Sequence, residues 1–283
     1  MKPFRFATVG DNCIDRFQPP VGQSLVGGNA VNVAIQLARL GERAFYFGAV
    51  GSDPDGERTR AMLGSHGVDI EYVETRPGVT AYTNIDVLPS GERIIGFEDF
   101  GVCAGYRPSK ADLAVLRSMD HVHLGWLDDG GELRRWLAAE GVSLSQDISV
   151  NADPANRGVE GLTVAFASAG GGDDEAERVI RDLLSDGARF AVVTRGAQGA
   201  MAGSAEGHLA RSGIKPIEVV DTTGAGDSFI AGFLSGFVAG RSLQACLETG
   251  AERAALTCTH VGGFPQQPLP LVLPTGAPAT PRR

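Results

Sequence analysis

Short apolar segments alternate along this chain with longer segments of helical periodicity, and this alternation constrains the fold more than any other feature. The apolar segments of strand length are residues 4–9, 44–50, 121–124, 142–148, 163–166, 190–194 and 217–220. The predicted helices are residues 30–40, 57–66, 174–186, 228–239 and 243–259. Strands that alternate with helices form a parallel sheet covered by helices on both faces. The sequence therefore predicts an α/β protein with a central, mainly parallel sheet.

One segment departs from this alternation and predicts a second, smaller sheet. Residues 82–88 alternate polar and apolar side chains, the turn-forming string Pro89-Ser90-Gly91-Glu92 follows, and residues 93–97 return as a strand. This pattern is typical of a β-hairpin. The chain ends in residues 266–283, where five prolines lie among small residues. That composition predicts a disordered tail after a single domain over residues 1–265.

Composition and charge exclude several classes of protein. Apolar residues make up 43% of the 283 residues, which is enough for a sizeable core and argues against a disordered chain. The net charge of −9, without any basic run, argues against binding to nucleic-acid phosphates. No apolar stretch approaches the roughly 18–20 residues that span a bilayer, and the first residues lack the apolar core of a signal peptide. The four cysteines lie far apart without metal-ligand spacing, so we expect a reduced, cytoplasmic protein without nucleic-acid or membrane partners.

The first of two glycine-rich segments predicts a binding site at the beginning of a helix. Its polar side chains recur three or four residues apart and form one stripe on an otherwise apolar helix: Asn29, Asn32, Gln36 and Arg39. The two asparagines follow Gly28 at the helix N-terminus, where free amide N–H groups also point outward. Because an amide side chain both donates and accepts, Gly28, Asn29 and Asn32 are candidates for binding sugar hydroxyls. Asn29 as a simple helix cap is the alternative, and we expect Gln36 and Arg39 to be solvated.

The second glycine-rich segment predicts an anion site. A predicted strand is followed by the string Asp221-Thr222-Thr223-Gly224-Ala225-Gly226-Asp227, after which an apolar helix begins. Small residues let successive backbone N–H groups converge, and the helix dipole adds positive potential. The N–H groups of Gly224, Ala225 and Gly226 are therefore suited to phosphoryl oxygens. Asp227 lies in the first helical turn beside them, either as a general base or only as a helix cap.

Four short motifs occur along the chain. Residues 27–34 read Gly-Gly-Asn-x-x-Asn-x-Ala, and residues 50–56 read Val-Gly-x-Asp-x-x-Gly. Residues 194–199 read Thr-x-Gly-x-x-Gly, and residues 221–229 read Asp-Thr-x-Gly-Ala-Gly-Asp-x-Phe, the most specific of the four. In this combination the chain resembles the PfkB-type carbohydrate kinases, the ribokinase-like family, over roughly residues 4–264.

The resemblance implies a fold and a reaction. The implied fold is ribokinase-like, with a central mainly parallel sheet flanked by helices and a small β-sheet lid from about residues 12–25 and 80–105. The implied reaction is transfer of the γ-phosphoryl group of ATP to a sugar hydroxyl with Mg²⁺, and a monovalent cation is a further implied cofactor. Relatives often dimerise through the lid, which implies a homodimer. The other implied partner of the protein is its small-molecule sugar substrate.

The resemblance also implies roles for individual residues. Asp227 would accept the proton of the sugar hydroxyl. The residues whose amides would hold the transferring phosphoryl group are Gly224, Ala225 and Gly226. The residues implied to hold the sugar are Asp11, Gly28, Asn29 and Asn32. The residues implied to hold the nucleotide are Thr194, Gly196 and Gly199. Asp11 directly follows the first predicted strand and suits two sugar hydroxyls, with a turn-forming aspartate as the alternative.

Two strings resemble those of the fructosamine-specific kinases of this family. Residues 10–15 read Gly-Asp-Asn-Cys-Ile-Asp, and residues 166–169 read Phe-Ala-Ser-Ala. The implied acceptor is an Amadori-type fructosamine, fructoselysine, phosphorylated at its terminal 6-hydroxyl. Asp128 or Asp129, after the predicted strand at residues 121–124, would meet the lysine-side charge unless this loop is only solvated. The alternatives are fructose or another ketose or furanose as acceptor, and a non-catalytic sugar- or nucleotide-sensing protein of the same fold.

The chain departs from the family pattern where magnesium is usually held. Relatives commonly have Asn-x-x-Glu after the strand that ends near residue 167, but residues 168–171 here read Ser-Ala-Gly-Gly. Of a common Asp-x-Asn-x-Arg run, only Asp147 is kept. Three acidic residues follow: Asp173, Asp174 and Glu175. One of them would reach the water shell of the metal, or they are ordinary acidic residues of the first turn of a helix. We therefore assign no metal ligand. Structural rather than catalytic roles are expected for His121, His123 and Cys13.

Overall fold

The computed structural model describes residues 2–88 and 93–271. Its strands are β1 (Arg5–Val9), β2 (Cys13–Phe17), β3 (Gln23–Gly27), β4 (Arg43–Gly51), β5 (Val73–Arg76), β6 (Tyr82–Val87), β7 (Arg93–Asp99), β8 (His121–Leu124), β9 (Leu144–Asp147), β10 (Val164–Ser168), β11 (Phe190–Thr194), β12 (Ala200–Ser204), β13 (Leu209–Ser212) and β14 (Leu269–Pro270). Its helices are α1 (Asn29–Arg39), α2 (Pro54–Ser65), α3 (Lys110–Leu116), α4 (Glu132–Ala139), α5 (Asp173–Ser185), α6 (Ala225–Val238) and α7 (Leu243–Thr257). The predicted turn at residues 89–92 lies outside the described residues.

The central sheet confirms the predicted α/β architecture. Within the described residues its strand order is β13-β12-β11-β10-β9-β8-β1-β4-β5. The strands from β11 to β5 pair in parallel, whereas β12 and β13 add an antiparallel edge that the sequence analysis did not predict. The strand order reverses at β1, which lies between β8 and β4. In open sheets of this kind, ligands bind in the crevice beyond the carboxyl ends of the strands at such a reversal.

Side chains that alternate along the strands bury both faces of the sheet under helices. In β4, Ala44 and Tyr46 pack with α1, α2, α6 and α7 on one face. Phe45 and Phe47 pack with α3, α4 and α5 on the other face. Helix α1 lies deepest, because every residue from Asn29 to Leu37 is buried. The polar residues at its N-terminus are therefore enclosed by protein rather than by solvent.

The depth of α1 overturns one prediction about its polar stripe. Gln36 was expected to be solvated, but it is buried and donates a hydrogen bond to the carbonyl oxygen of Gly263 at 2.7 Å. Its side-chain oxygen accepts from Arg253 at 3.0 Å, so the amide links α1 to α7. The period of a helix predicts which residues share a face, but not that a later helix covers that face. Arg39, one turn further along, is exposed as predicted.

The smaller predicted sheet is present beside the central one. Strands β14, β3, β2, β6 and β7 pair in this order, and we call these five strands the lid sheet. The chain leaves β1 for the lid sheet through residues 10–12 and returns to α1 through Gly28. Both crossings lie at the carboxyl end of β1, so the lid sheet adjoins the reversal point of the central sheet.

Two predictions near the C-terminus need correction. Residues 217–220 form no strand; Val219 and Val220 are each 59% exposed, because no neighbouring strand is available to pair with them. The predicted disordered tail also begins too early. The side chain of Gln266 bonds both the N–H and the carbonyl of Val26 at 2.8 Å, and β14 pairs with β3. Residues 272–283 of the predicted tail lie outside the described residues.

Candidate active site

The predicted sugar-site residues and Asp227 lie at the reversal point of the central sheet, whereas the predicted nucleotide residues follow β11. Asp11 follows β1, and Asp147 ends β9 two strands away. The N-termini of α1 and α6 reach the same crevice, and they bring Asn29 and Asp227 into hydrogen-bond contact across 198 positions of sequence. Residues from four separate segments therefore meet at one edge of the sheet.

Asp11 is the anchor of helix α1. Its carboxylate accepts hydrogen bonds from the backbone N–H groups of Asn29 at 2.7 Å, Ala30 at 3.3 Å and Trp126 at 2.9 Å. Burial raises the pKa of Asp11, and these backbone hydrogen bonds oppose the rise. Gly28 is needed beside it: the residue has φ +101°, and a Cβ atom would lie 2.7 Å from Cα of Asn12. Gly28 therefore allows α1 to approach the loop that carries Asp11.

The two asparagines predicted to bind the sugar form hydrogen bonds with Asp227, the predicted base. The Nδ2 atoms of Asn29 and Asn32 each donate to one carboxylate oxygen of Asp227 at 2.7 Å. Asn29 also donates to Asp147 at 3.0 Å. The side-chain oxygen of Asn32 is buried without a hydrogen-bond partner among the described residues. The two asparagines therefore differ: Asn29 uses both atoms of its side-chain amide within the protein, whereas Asn32 keeps one acceptor.

The environment of Asp227 makes it a stronger base than an ordinary aspartate. The carboxyl group keeps some accessible surface, but the protein surrounds it densely. This desolvation, opposed by the hydrogen bonds from Asn32 and Asn29 and reinforced by the charges of Asp147 and Asp11, raises the pKa of Asp227 to about 8. Burial also raises the pKa of Asp147. A carboxyl group with a pKa near neutral pH is suited to accepting and releasing a proton.

The glycine loop before α6 leaves backbone donors beside Asp227. Gly224 caps the helix in the left-handed region at φ +71°, and a Cβ atom there would lie 2.3 Å from Cα of Gly263. No acceptor within residues 2–88 and 93–271 bonds the N–H groups of Gly224 or Gly226. The N–H of Ala225 is engaged by the carbonyl oxygen of Thr222 at 3.2 Å. Two of the three predicted amide donors, Gly224 and Gly226, are therefore without an acceptor among these residues.

A cavity of about 470 Å³ opens at this loop. The three predicted nucleotide residues, Thr194, Gly196 and Gly199, line it together with Ala225 and Gly226. Apolar side chains of α6 and α7 and of residues 214–219 cover its remaining walls. A pocket with a largely apolar wall at one end and free N–H groups at the other fits an adenine base joined to phosphates.

The residues present fit a magnesium ion held mainly by phosphate and water. No group of three or more potential metal-ligating side chains occurs in the described part of the chain. Asp173 is engaged by Arg195 and by Arg211. Glu175, however, folds back so that its carboxylate occupies the space that a side chain at Gly171 would need. Magnesium usually keeps several waters and needs only one or two carboxylates besides the phosphates of its substrate, so this donor set is sufficient.

One contact at the glycine loop was not predicted from the sequence. Arg93, at the beginning of β7 in the lid sheet, forms an ion pair with Asp221 at 2.6 Å and donates to the hydroxyl of Thr223. Burial would raise the pKa of Asp221, but hydrogen bonds from Arg93, Gly262 and Thr223 outweigh it and hold the pKa below its usual value. The only sequence signal was an arginine directly after a turn, which is too common to predict an ion pair.

Both acids predicted to meet a lysine-side charge have partners within the chain. Asp128 pairs with Arg107 at 3.0 Å and accepts from the N–H of Gly105. Asp129 accepts from the N–H groups of Gly131 and Leu133 at 2.8 Å and so caps α4. These contacts favour the alternative, a structural loop.

Comparison with known proteins identifies the family. The sequence matches the family described as pfkB family carbohydrate kinase over residues 18–152 and 160–269. It is 36% identical over 260 residues to Fructoselysine 6-kinase of Escherichia coli strain K12, covering 91% of this chain and 98% of that protein. It is 30% identical over 268 residues to Fructosamine kinase FrlD of Bacillus subtilis strain 168, covering 92% of this chain and 93% of that protein. The chain belongs to the pfkB family of carbohydrate kinases and is a phosphotransferase.

Solved structures have the same fold. Ribokinase of Arabidopsis thaliana, complexed with ribose and ATP, superposes with a TM-score of 0.84 at 22% identity, covering 93% of this chain and 94% of that chain. A protein from Escherichia coli in complex with ATP and Mg²⁺ superposes with a TM-score of 0.77 at 22% identity, covering 92% and 94% of the two chains. The predicted ribokinase-like fold is confirmed. No helix within residues 2–88 or 93–271 is both long and apolar enough to cross a membrane.

The raised pKa of Asp227 predicts a specific effect on stability. Its folded-state pKa of about 8 exceeds the ordinary value of 3.8, so folding takes up a proton and stability falls as the pH rises between these values. Asp227→Asn removes this titration. We expect the variant to unfold at the wild-type temperature near pH 4 and about 2–4 °C or more above it at pH 9, measured by thermal unfolding. Asp186→Asn, at an exposed carboxylate, is the matched control, and equal melting temperatures for wild type and Asp227→Asn at pH 9 would contradict the assignment.

Proposed function

We propose that this carbohydrate kinase uses Asp227 as its general base and the N-terminus of α6 as its anion hole. The observation that carries the proposal is that backbone N–H donors and Asp227 lie side by side at the N-terminus of α6. The N–H groups of Gly224 and Gly226 have no acceptor within the described residues, and Gly226 lines the cavity. Asp227 follows directly, and Asn29 and Asn32 each donate a hydrogen bond to it. Base and anion hole are thereby held together on one rigid element.

The arrangement supports direct phosphoryl transfer. The sugar hydroxyl oxygen bonds to the γ-phosphorus of ATP, the bond from that phosphorus to the bridging oxygen of ADP breaks, and the hydroxyl proton moves to Asp227. The N–H groups of Gly224 and Gly226 donate to the phosphoryl oxygens as charge shifts onto them. When bound, Mg²⁺ neutralises charge on the β- and γ-phosphates, and Glu175 is the acid best suited to its water shell.

The remaining polar groups support a sugar on the opposite side of Asp227. The unpartnered oxygen of Asn32 is an acceptor for a sugar hydroxyl, and the carboxylate of Asp11 keeps lone pairs beyond its three backbone donors. Asn29 acts on the sugar only indirectly, through Asp227 and Asp147. In this proposal Asp11 and Asn32 contact the sugar, whereas Asn29 supports the base.

A fructosamine, with fructoselysine as the particular compound, is the acceptor that we propose. The relatives named for fructoselysine and fructosamine support it, as do the strings at residues 10–15 and 166–169. Charge at the lid sheet also supports a cationic acceptor. Burial raises the pKa of Asp15 on β2 to about 7, and it raises the pKa of Glu98 on β7, so a nearby substrate ammonium would stabilise both carboxylates. Fructose or another sugar is the alternative, whereas family membership favours an enzyme over a non-catalytic sensor.

The lid sheet has two proposed roles. Arg93 joins it to the glycine loop, which supports closure of the lid over the sugar and exclusion of water from ATP. Strand β7 is the last strand of the lid sheet in the described residues, and it exposes Ile94, Ile95 and Phe97. An exposed apolar edge strand supports pairing with the lid of a second copy of this chain. A monovalent cation and a cytoplasmic location stay predictions from the sequence.

The kinetic test of the base is Asp227→Asn. Asparagine keeps the shape of the side chain but cannot accept the proton, so we expect kcat to fall about 10²–10⁴-fold while the affinity for ATP is unchanged. In the wild type, kcat should rise with pH up to about pH 8, because only the deprotonated base is active. Steady-state rates from pH 5 to 9.5 and ATP binding by calorimetry provide the measurements. A variant that keeps more than about a tenth of wild-type turnover would exclude Asp227 as the base.

The test of the acceptor compares fructoselysine with free fructose at equal concentration, with ADP release as the readout. We expect the higher kcat/KM for fructoselysine, because fructose lacks the cationic amine. Glu98→Gln should reduce this preference without changing kcat for fructose, and Asp128→Asn, whose carboxylate is paired with Arg107, is the control. A higher kcat/KM for fructose would replace the fructosamine assignment by a fructokinase.

The test of the lid has two readouts. Light scattering at micromolar concentration should give the mass of a dimer for the wild type and of a monomer for the double variant Ile95→Glu and Phe97→Glu. Hydrogen exchange should show protection of residues 82–87 and 93–99 when sugar is bound, because closure removes these strands from solvent. A monomeric wild type would rule out the dimer, and exchange unchanged by sugar would rule out closure.

A further inference from the structure

Two buried histidines of β8 have no part in the proposed reaction. His121 and His123 are each 0% exposed, and burial lowers the pKa of both to about 3, so both imidazoles are neutral. Ser145 of the neighbouring strand β9 lies between them, 2.8 Å from Nε2 of His121 and 2.9 Å from Nδ1 of His123. On the far side, Nε2 of His123 lies 3.2 Å from Oδ1 of Asn29. The histidines are thus connected to the residue that grips the base.

The direction of every hydrogen bond in this chain can be assigned. Asn29 turns its Nδ2 atom toward the carboxylates of Asp227 and Asp147, which accept when ionised. Its Oδ1 atom can only accept, so Nε2 of His123 must carry the proton. A neutral imidazole has one N–H group, and Nδ1 of His123 therefore accepts from the hydroxyl of Ser145.

The remaining links follow in the same way. Because Ser145 donates its hydroxyl proton to His123, its oxygen accepts from Nε2 of His121. Nδ1 of His121 then accepts from the hydroxyl of Ser143 at 2.8 Å. Each buried donor meets one acceptor and no group is left unmatched, so a single arrangement of protons satisfies the whole chain.

We propose that His123 is a positioning residue for phosphoryl transfer, whose Nε2–H group holds the Asn29 amide with both hydrogens toward Asp227 and Asp147. The proposal rests on the role of Asp227 as base. Without this donor, rotation of the amide would turn its oxygen toward the carboxylate and remove one of the two hydrogen bonds that stabilise the ionised base.

The other groups around Asp227 do not replace this contact. Asn32 from α1 bonds the second carboxylate oxygen, while Asp11 after β1 and Asp147 at the end of β9 are acidic and oppose ionisation. No lysine or arginine within the described residues forms an ion pair with Asp227. The ionised base therefore depends on its two amide donors.

The pH profile of kcat distinguishes this role from a structural one. In His123→Leu we expect the acid limb to move to higher pH by about 1–2 units, with kcat about 10–100-fold lower at pH 7 and partly recovered at pH 9. His121→Leu is the matched control, because it removes an equally buried histidine from the same strand and leaves the Asn29 contact in place. Its acid limb should stay at the wild-type pH and its kcat should remain within about threefold.

Two polar substitutions of His123 provide the same test if the His123→Leu variant does not fold. His123→Gln retains an N–H group near the former Nε2 position and should restore the wild-type limb, whereas His123→Asn lacks that group and should reproduce the shift. An unshifted limb in His123→Asn, or an equal shift in His121→Leu, would overturn the positioning role. If Asp227→Asn stays active, the general-base proposal fails instead, so the two failures are distinguishable.

Discussion

The structure of the site depends on keeping one carboxylate ionisable in an enclosed place. Asp227 lies at the point where the N-termini of α1 and α6 meet, and it receives a hydrogen bond from each of two asparagines of α1. A buried charge requires such donors, because transfer from water would otherwise drive the group to its neutral form. The glycine at each helix start and the depth of α1 allow the two N-termini to approach closely enough for these hydrogen bonds.

This arrangement places three acidic side chains close together, which is unfavourable because their charges repel one another. Asp11 and Asp147 lie near Asp227, and burial raises the pKa of all three. Each acid is held by donors of a different kind: backbone N–H groups for Asp11, a serine and an amide for Asp147, and two amides for Asp227. The positive end of the α1 dipole faces Asp11 and offsets part of the repulsion. Because the pKa of each of these acids is raised in the folded protein, ionising them lowers the stability of the fold.

The lid sheet and the cavity of about 470 Å³ both contact the glycine loop. Asp221 at the beginning of that loop is held by Arg93 from the lid sheet and by the backbone of Gly262. The loop therefore contacts both the cavity that it lines and the lid sheet. Because the chain enters and leaves the lid sheet near Asp11 and Gly28, the lid sheet is also connected directly to β1 and α1.

Local patterns were sufficient for the fold. Strand and helix periods, the hairpin and the two glycine-rich strings predicted the α/β sheet, the lid and the approximate site, because periodicity and turn chemistry are properties of neighbouring residues. They failed where a distant segment decides the outcome. Residues 217–220 have the composition of a strand but no partner strand. Gln36 lies on the polar stripe of α1, which predicted exposure to solvent, but α7 covers it. Gln266 was assigned to a disordered tail, yet it pairs with a backbone segment 240 positions earlier.

The sequence by itself determined which residues were candidates for the site, because the amide, carboxylate and glycine strings are chemically distinctive. The tertiary structure alone decided which groups each of them contacts. Asn29 resembles a sugar ligand in sequence, but the meeting of α1 with α6, β8 and β9 commits its amide to Asp227, Asp147 and His123. Hydrogen bonds between side chains are short-ranged and directional, so their partners are fixed only when packing brings the segments within about 3 Å.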